Sequence, residues 1–296
     1  MAKVGVVGIP RFATQAATGW LPGATDIPRM DLELMLKEHS SGLEVHDLGE
    51  LFIANNSPIS RISLDGFSHD GTDVTVAYRS LARKAKNIIR RSYSDIVLAI
   101  GGDHSGVLPL YALPGHVVRA DAHGDAYGPD YGEKGSLLWY LSGARYMKLV
   151  GKMGLKNAAE VWNVGLIDVF GRVEENDLTL AEQRYNGCFG KVAGVAQLLG
   201  WENPPEIGLF DIDVDVLSST YGLPHPFSHS ELTVGDLTAL ITKLKPRVVS
   251  LFECIQRDGS MPPGIVSSYP GIFGPICRAV AEVAIYRNNE RLAAKA

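Results

Sequence analysis

The sequence predicts an α/β fold of three layers, a central and mainly parallel sheet with helices on both faces. Two observations carry that expectation. Short runs rich in Val and Ile, apolar at consecutive positions as strands buried on both faces must be, recur along the 296 residues. Segments with apolar residues at helical spacing fall between them, and such alternation builds parallel sheets.

Taken in order, "VGVVGIP" (4–10) reads as the first strand and not as a signal peptide, being short and interrupted by Gly and Pro. Residues 54–73, dense in Gly, Pro and Ser, read as a surface loop near a site. A helix is expected over 74–93. Its basic face (Arg79, Arg83, Lys84, Lys86, Arg90, Arg91) reads as solvated or as an oligomer contact. Strands follow in "DIVLAIGG" (95–102), "HVVRAD" (116–121) and "EVWNVGLID" (160–168), with Trp139, Tyr140 and Tyr146 between them read as packing residues. A helix is expected within 179–199 around Gly187 and Gly190, then a strand "EIGLFDID" (206–213). His225 and His229 read as turn residues of a Pro-rich loop. Next come a helix at 232–245, a strand "RVVSLFEC" (247–254), a loop at 255–275 and a last helix at 276–295. With no repeat, low-complexity linker or clear boundary, residues 1–296 are expected to form one domain.

Composition narrows the class. At 46% hydrophobic residues the chain can bury a sizeable core, and a net charge of -5 argues against a nucleic-acid or anionic-membrane surface. No apolar run reaches membrane-spanning length. Three widely spaced cysteines (Cys188, Cys254, Cys277) suit a reducing cytoplasm better than a disulfide framework.

The chemistry gathers at strand ends, where open parallel sheets bind ligands. "GGDHS" brings Asp103 and His104, "DAHGD" brings Asp121, His123 and Asp125, "DIDVD" brings Asp211, Asp213 and Asp215, and "LFEC" brings Glu253. In an extended segment alternate residues share a face, so Asp121, His123 and Asp125 converge, as do the three later aspartates. A lone D-x-D is an ordinary loop feature and a lone His an ordinary packed residue. Three acid and His groups on separate strand ends are not. Crowded carboxylates repel and resist desolvation, and cations are the usual remedy. Two divalent ions about 3.5–4 Å apart suit carboxylate bridging. Oxygen donors with one or two imidazoles and no thiolate favour Mn²⁺ over Fe, Co, Ni or Zn.

These segments resemble the signatures of the arginase/agmatinase/formimidoylglutamase family, the ureohydrolases. Weaker likenesses run along nearly the whole chain in order: "GIP" (8–10) with "LPGATDIP" (21–28), "NVGLID" (163–168), "LTVGDL" (232–237) and "LFEC" (251–254). The resemblance implies an arginase-like fold and two Mn²⁺ per subunit. Their ligands would be His104, Asp121, His123, Asp125 and two aspartates of 211–215. It implies attack of a bridging hydroxide on a guanidine or amidine carbon, releasing urea or formamide plus an amine. Asp125 would orient the hydroxide and pass on its proton, Asp103 would accept from a ligating imidazole, and Glu253 would meet the substrate cation. Relatives are commonly homo-oligomers, trimers or hexamers.

The pattern departs in two places. The third motif admits Asp211 with Asp213, or Asp213 with Asp215. The second register is favoured, with Ser218 and Ser219 where Asp and Pro are usual. After "DAHGD", Lys134 precedes Gly135 where agmatinase-like members carry His-Gly. Lys134 is either a solvated loop residue or a partner for a carboxylate-bearing amidine or guanidine. Two other classes remain open: a divergent, non-catalytic metal-binding relative, and an amide deacetylase that would use one Zn²⁺.

Overall fold

The computed structural model describes residues 1–14, 17–20, 23–51, 71–124, 146–168, 171–172, 189–217, 219–221, 232–254 and 265–295. Its strands are β1 (Ala2–Ile9), β2 (Arg11–Thr14), β3 (Ala17–Trp20), β4 (Leu43–Glu50), β5 (Ile96–Gly101), β6 (His116–Ala120), β7 (Val161–Val164), β8 (Ile167–Asp168), β9 (Gly171–Arg172), β10 (Lys191–Val192), β11 (Ile207–Asp213) and β12 (Val248–Phe252). Among the described residues, eight of them form one sheet in the order β10-β7-β6-β11-β12-β5-β1-β4, every neighbour parallel.

Helices cover both faces. α1 (Asp26–His39), α4 (Val195–Leu199), α5 (Val234–Leu244), α6 (Ile265–Ser268) and α7 (Pro270–Ala293) lie on one side. α2 (Gly71–Arg91), a 3₁₀ helix at His104–Ala112 and α3 (Tyr146–Lys152) lie on the other. Alternate strand residues feed the two cores. Ile96, Leu98, Ile100, Val118, Ala120, Phe210, Ile212, Val249 and Leu251 meet α1, α5 and α7. Val97, Ala99, Val117, Leu209 and Val248 meet Leu81, Ala85 and Ile89 of α2, spaced four apart on one helical face. The three-layer α/β/α expectation holds. No described helix is long and apolar enough to cross a membrane.

Several boundaries differ from expectation for local reasons. The strand at 160–168 leaves the sheet after Val164, where Gly165 takes a φ of 81°, and residues 167–168 pair with 171–172 instead. Within 179–199 the helix covers Val195–Leu199; residues 191–192 form an edge strand, and 173–188 lie outside the described residues. The supposed loop at 255–275 holds α6 and the start of α7, with Pro270 at a first helical position where a missing N–H costs nothing. Of the loop at 54–73, residues 54–70 lie outside the described residues, and α2 begins at Gly71. α1 and β4 were not expected. α1 buries Arg29 beside its Leu32 and Leu36, and β4 is an edge strand whose charged residues disguise it.

Candidate metal centre

The site sits at the carboxyl ends of four adjacent central strands, β6, β11, β12 and β5, on the face that carries the 3₁₀ helix. Local sequence explains how each side chain arrives. Gly101 ends β5 against the ring of Phe252, where any Cβ would lie 2.1 Å from a ring carbon. That ring stacks on His104 at 5.8 Å. Asp103 caps the 3₁₀ helix by accepting from Ser105 N at 2.9 Å, which fixes His104 in its first turn.

Strand alternation builds two tiers on this face. The lower tier is a buried polar row in register across four strands: Asn163, Arg119, Asp211 and Ser250. Asp211 accepts from Ser250 Oγ at 2.8 Å and from Tyr111 OH at 3.0 Å, and it lies 3.1 Å from His104 Nε2. Two residues further along, Asp121 and Asp213 form the upper tier. His104 Nδ1 lies 2.9 Å from Asp121 Oδ2 and 3.0 Å from Asp213 Oδ2. His123 Nδ1 lies 2.7 Å from Asp215 Oδ2 and 3.9 Å from Asp121 Oδ1. Two groups therefore have the donor atoms for an ion, His104 with Asp121 and Asp213, and Asp121 with His123 and Asp215. Asp121 belongs to both and turns one oxygen to each. The donors are hard oxygens and imidazole nitrogens, a set that fits a hard or borderline divalent ion.

The electrostatics separate the carboxylates. Burial pushes Asp213 well above the usual carboxylate range, and the charges of Asp215 and Glu253 add to it. Burial and Asp121 raise Asp215, against a hydrogen bond from His123. Burial acts the same way on Asp121, but the Arg119 guanidinium against it and the nearby His104 win, and its carboxyl is held well below the usual range. Burial alone would lower His104; Tyr146 and the carboxylates of Asp211, Asp213 and Asp121 outweigh it and raise the imidazole well above its ordinary value. Asp213 and Asp215, the two raised carboxyls, are thus the groups on which an added positive charge would act most.

The structure thus brings together His104, Asp121, His123, Asp213 and Asp215, with only His123 substantially exposed, at 39%. Asp211 stands one tier below, as the acceptor at His104 Nε2. Glu253 is at the rim with a left-handed φ of 57°, its N–H bonded to Gly102 O at 2.6 Å. Asp125, Lys134, Trp139, Tyr140, Ser218, His225 and His229 lie outside the described residues. Sequence reasoning missed Arg119, Tyr111, Asn163 and Ser250, and it read Tyr146 as packing. The Tyr146 hydroxyl in fact lies 2.9 Å from Arg119 Nε and 3.1 Å from His104 Nε2. The available signal was spacing: Arg119 is two residues before Asp121, on the same face.

A family model described as the arginase family matches residues 2–184. No curated protein sequence matches the chain. Among solved structures, a hypothetical agmatinase from Burkholderia thailandensis aligns with a TM-score of 0.59 at 17% identity, covering 98% of this chain and 87% of that one. Formimidoylglutamase from Bacillus subtilis aligns with 0.62 at 12% identity, covering 96% and 88%. Trypanosoma cruzi formiminoglutamase with Mn²⁺ aligns with 0.56 at 11% identity, covering 96% and 94%. At these identities the likeness speaks for the fold.

Proposed function

The chain belongs to the arginase family, and from that premise we propose that it hydrolyses a linear, non-peptide C–N bond of a guanidine or amidine with the help of metal, releasing urea or formamide plus an amine. The observation that carries the proposal is the pair of ligand groups sharing Asp121. It supports two ions per chain. The oxygen and imidazole donors favour manganese, the metal named with the Trypanosoma cruzi relative. In this reading residues 1–296 are one catalytic domain, and the chain assembles as a trimer or hexamer.

Bound divalent ions lower the pKa of water and so supply a nucleophile near neutral pH. The chain's residues do the rest. Asp121 would serve both positions, His104 and Asp213 would complete one, and His123 and Asp215 would complete the other. Asp211, braced by Tyr111 and Ser250, fixes the His104 ring so that Nδ1 faces the ligand group. Glu253 offers a carboxylate at the rim, matched to the forked cation of a guanidinium or amidinium. Asp125 would take the proton shed by the attacking water and pass it on toward the departing amine. Lys134 receives a substrate carboxylate, which favours an acidic amidine or a guanidino acid over agmatine.

The test is release of urea or formamide by Mn²⁺-loaded protein over a panel of guanidines and amidines, with metal content measured in the same samples. No turnover with metal bound would overturn the hydrolase reading in favour of a non-catalytic relative. Turnover of agmatine but of no acidic substrate would overturn the role given to Lys134.

A further inference from the structure

Arg119 is a fully buried cation near the end of a strand, just before a cluster of carboxylates. A guanidinium keeps its charge at any pH a protein meets, so burial cannot neutralise it and partners must hold it. Its Nη2 bonds Asp121 Oδ2. Its Nη1 lies 2.7 Å from the carbonyl oxygen of His123 and 3.4 Å from Asn163 Oδ1, and its Nε donates to Tyr146. The carboxylate oxygen it occupies is the one that faces His104 Nδ1 at 2.9 Å. An ion held by His104, Asp121 and Asp213 would draw on that same oxygen. Two cations on one oxygen repel, and each weakens the other's hold.

We propose that Arg119 is a resident cation of this centre, which competes with a metal ion for Asp121 and so sets how tightly the chain takes up metal. The inference rests on the metal-centre reading. It differs in sign from a purely architectural role. If Arg119 only braces the turn at His123 and the carboxylate of Asp121, removing it loosens the ligands and weakens metal binding. If it competes, removing its charge tightens binding, and the metal-free protein loses the cation that offsets its buried carboxylates.

The experiment is a calorimetric titration of Mn²⁺ into the metal-free full chain, in wild type, Arg119→Met, Arg119→Gln and Arg119→Lys, with thermal unfolding followed with and without metal. Arg119→Met is expected to bind at least one Mn²⁺ about tenfold more tightly or better, since a neighbouring unit charge is gone from a buried site. Its metal-free midpoint falls, and its rise on adding Mn²⁺ exceeds that of wild type. Arg119→Gln, which keeps hydrogen-bonding capacity without charge, shifts the same way and carries the test if the Met variant does not fold. Arg119→Lys keeps wild-type affinity. Unchanged or weaker binding in a folded neutral variant overturns the competition, as does equal tightening in Arg119→Lys. Failure of the wild type to bind Mn²⁺ at all overturns the metal-centre reading instead.

Discussion

β6 and β11 present two different chemistries on their two faces. Toward α1, α5 and α7 they show Val118, Ala120, Phe210 and Ile212, all in one apolar core. Toward the 3₁₀ helix the alternate positions are Arg119, Asp121, Asp211 and Asp213, all buried and all charged or polar. The backbone ladder is common to both, so the same parallel pairing that closes the core aligns the polar row. The comparison teaches a division of labour: one face supplies packing energy, and the other buries ionisable groups that must be met by opposite charges and hydrogen bonds.

Substitutions can break or sharpen this division. The largest effect is expected from His123→Asn on the polar side. Turnover should fall by more than the roughly 100-fold typical of losing an orienting partner, with circular dichroism unchanged. Phe210→Ala on the apolar side should cost about 3–5 kcal/mol of unfolding free energy, while kcat/KM of the folded protein stays near wild type. Lost turnover without lost stability in Phe210→Ala would end the separation of faces. Asp211→Asn, which weakens the acceptor behind His104, should lower Mn²⁺ affinity roughly 10–100-fold in a dialysis measurement, less than loss of a ligand.

The smallest effect needs no substitution. Asp213 and Asp215 have raised carboxyl values when metal-free. As groups that hold protons more firmly folded than unfolded, they stabilise the metal-free protein at pH below the ordinary carboxylate value. That contribution is lost as pH rises through their raised values. Metal must displace these protons. Mn²⁺ binding in weak buffer should therefore release protons, and affinity should rise with pH; uptake of protons would contradict the charge picture.

Much of this was legible in the sequence because parallel strands buried on both faces write their pattern plainly. The run 117–121 and the run 207–213 announce strands, and their D-x-D and D-x-H spacing announces a shared face. Arg119 was hidden by the same rule that made its neighbours visible, since one charge inside an apolar run is easily credited to the run. Tyr111, Tyr146 and Ser250 join the centre from elements distant in sequence, and no local spacing links them to Asp211. α1 was masked by charges, because Arg29 is buried through contacts with Asp47 at 3.0 Å and Glu50 at 3.5 Å that only the fold creates. Substrate choice is illegible for a related reason. In the proposed function it turns on Lys134, whose role depends on neighbours that periodicity does not record.

The two-residue beat of β6 and β11 also decides which length changes this chain can survive. Inserting or deleting one residue within β6, ahead of Val118, would exchange the faces of the residues that follow. Asp121 and Arg119 would turn into the apolar core beside Phe210, and Val118 and Ala120 would face His104. A change of two residues keeps every side chain on its own face and only moves it along the strand, to a different height at the rim. A single-residue change between Val118 and Ala120 of β6, or between Leu209 and Asp213 of β11, is therefore expected to cost the centre, whereas added length in a connection that carries no ligand turns no strand residue over.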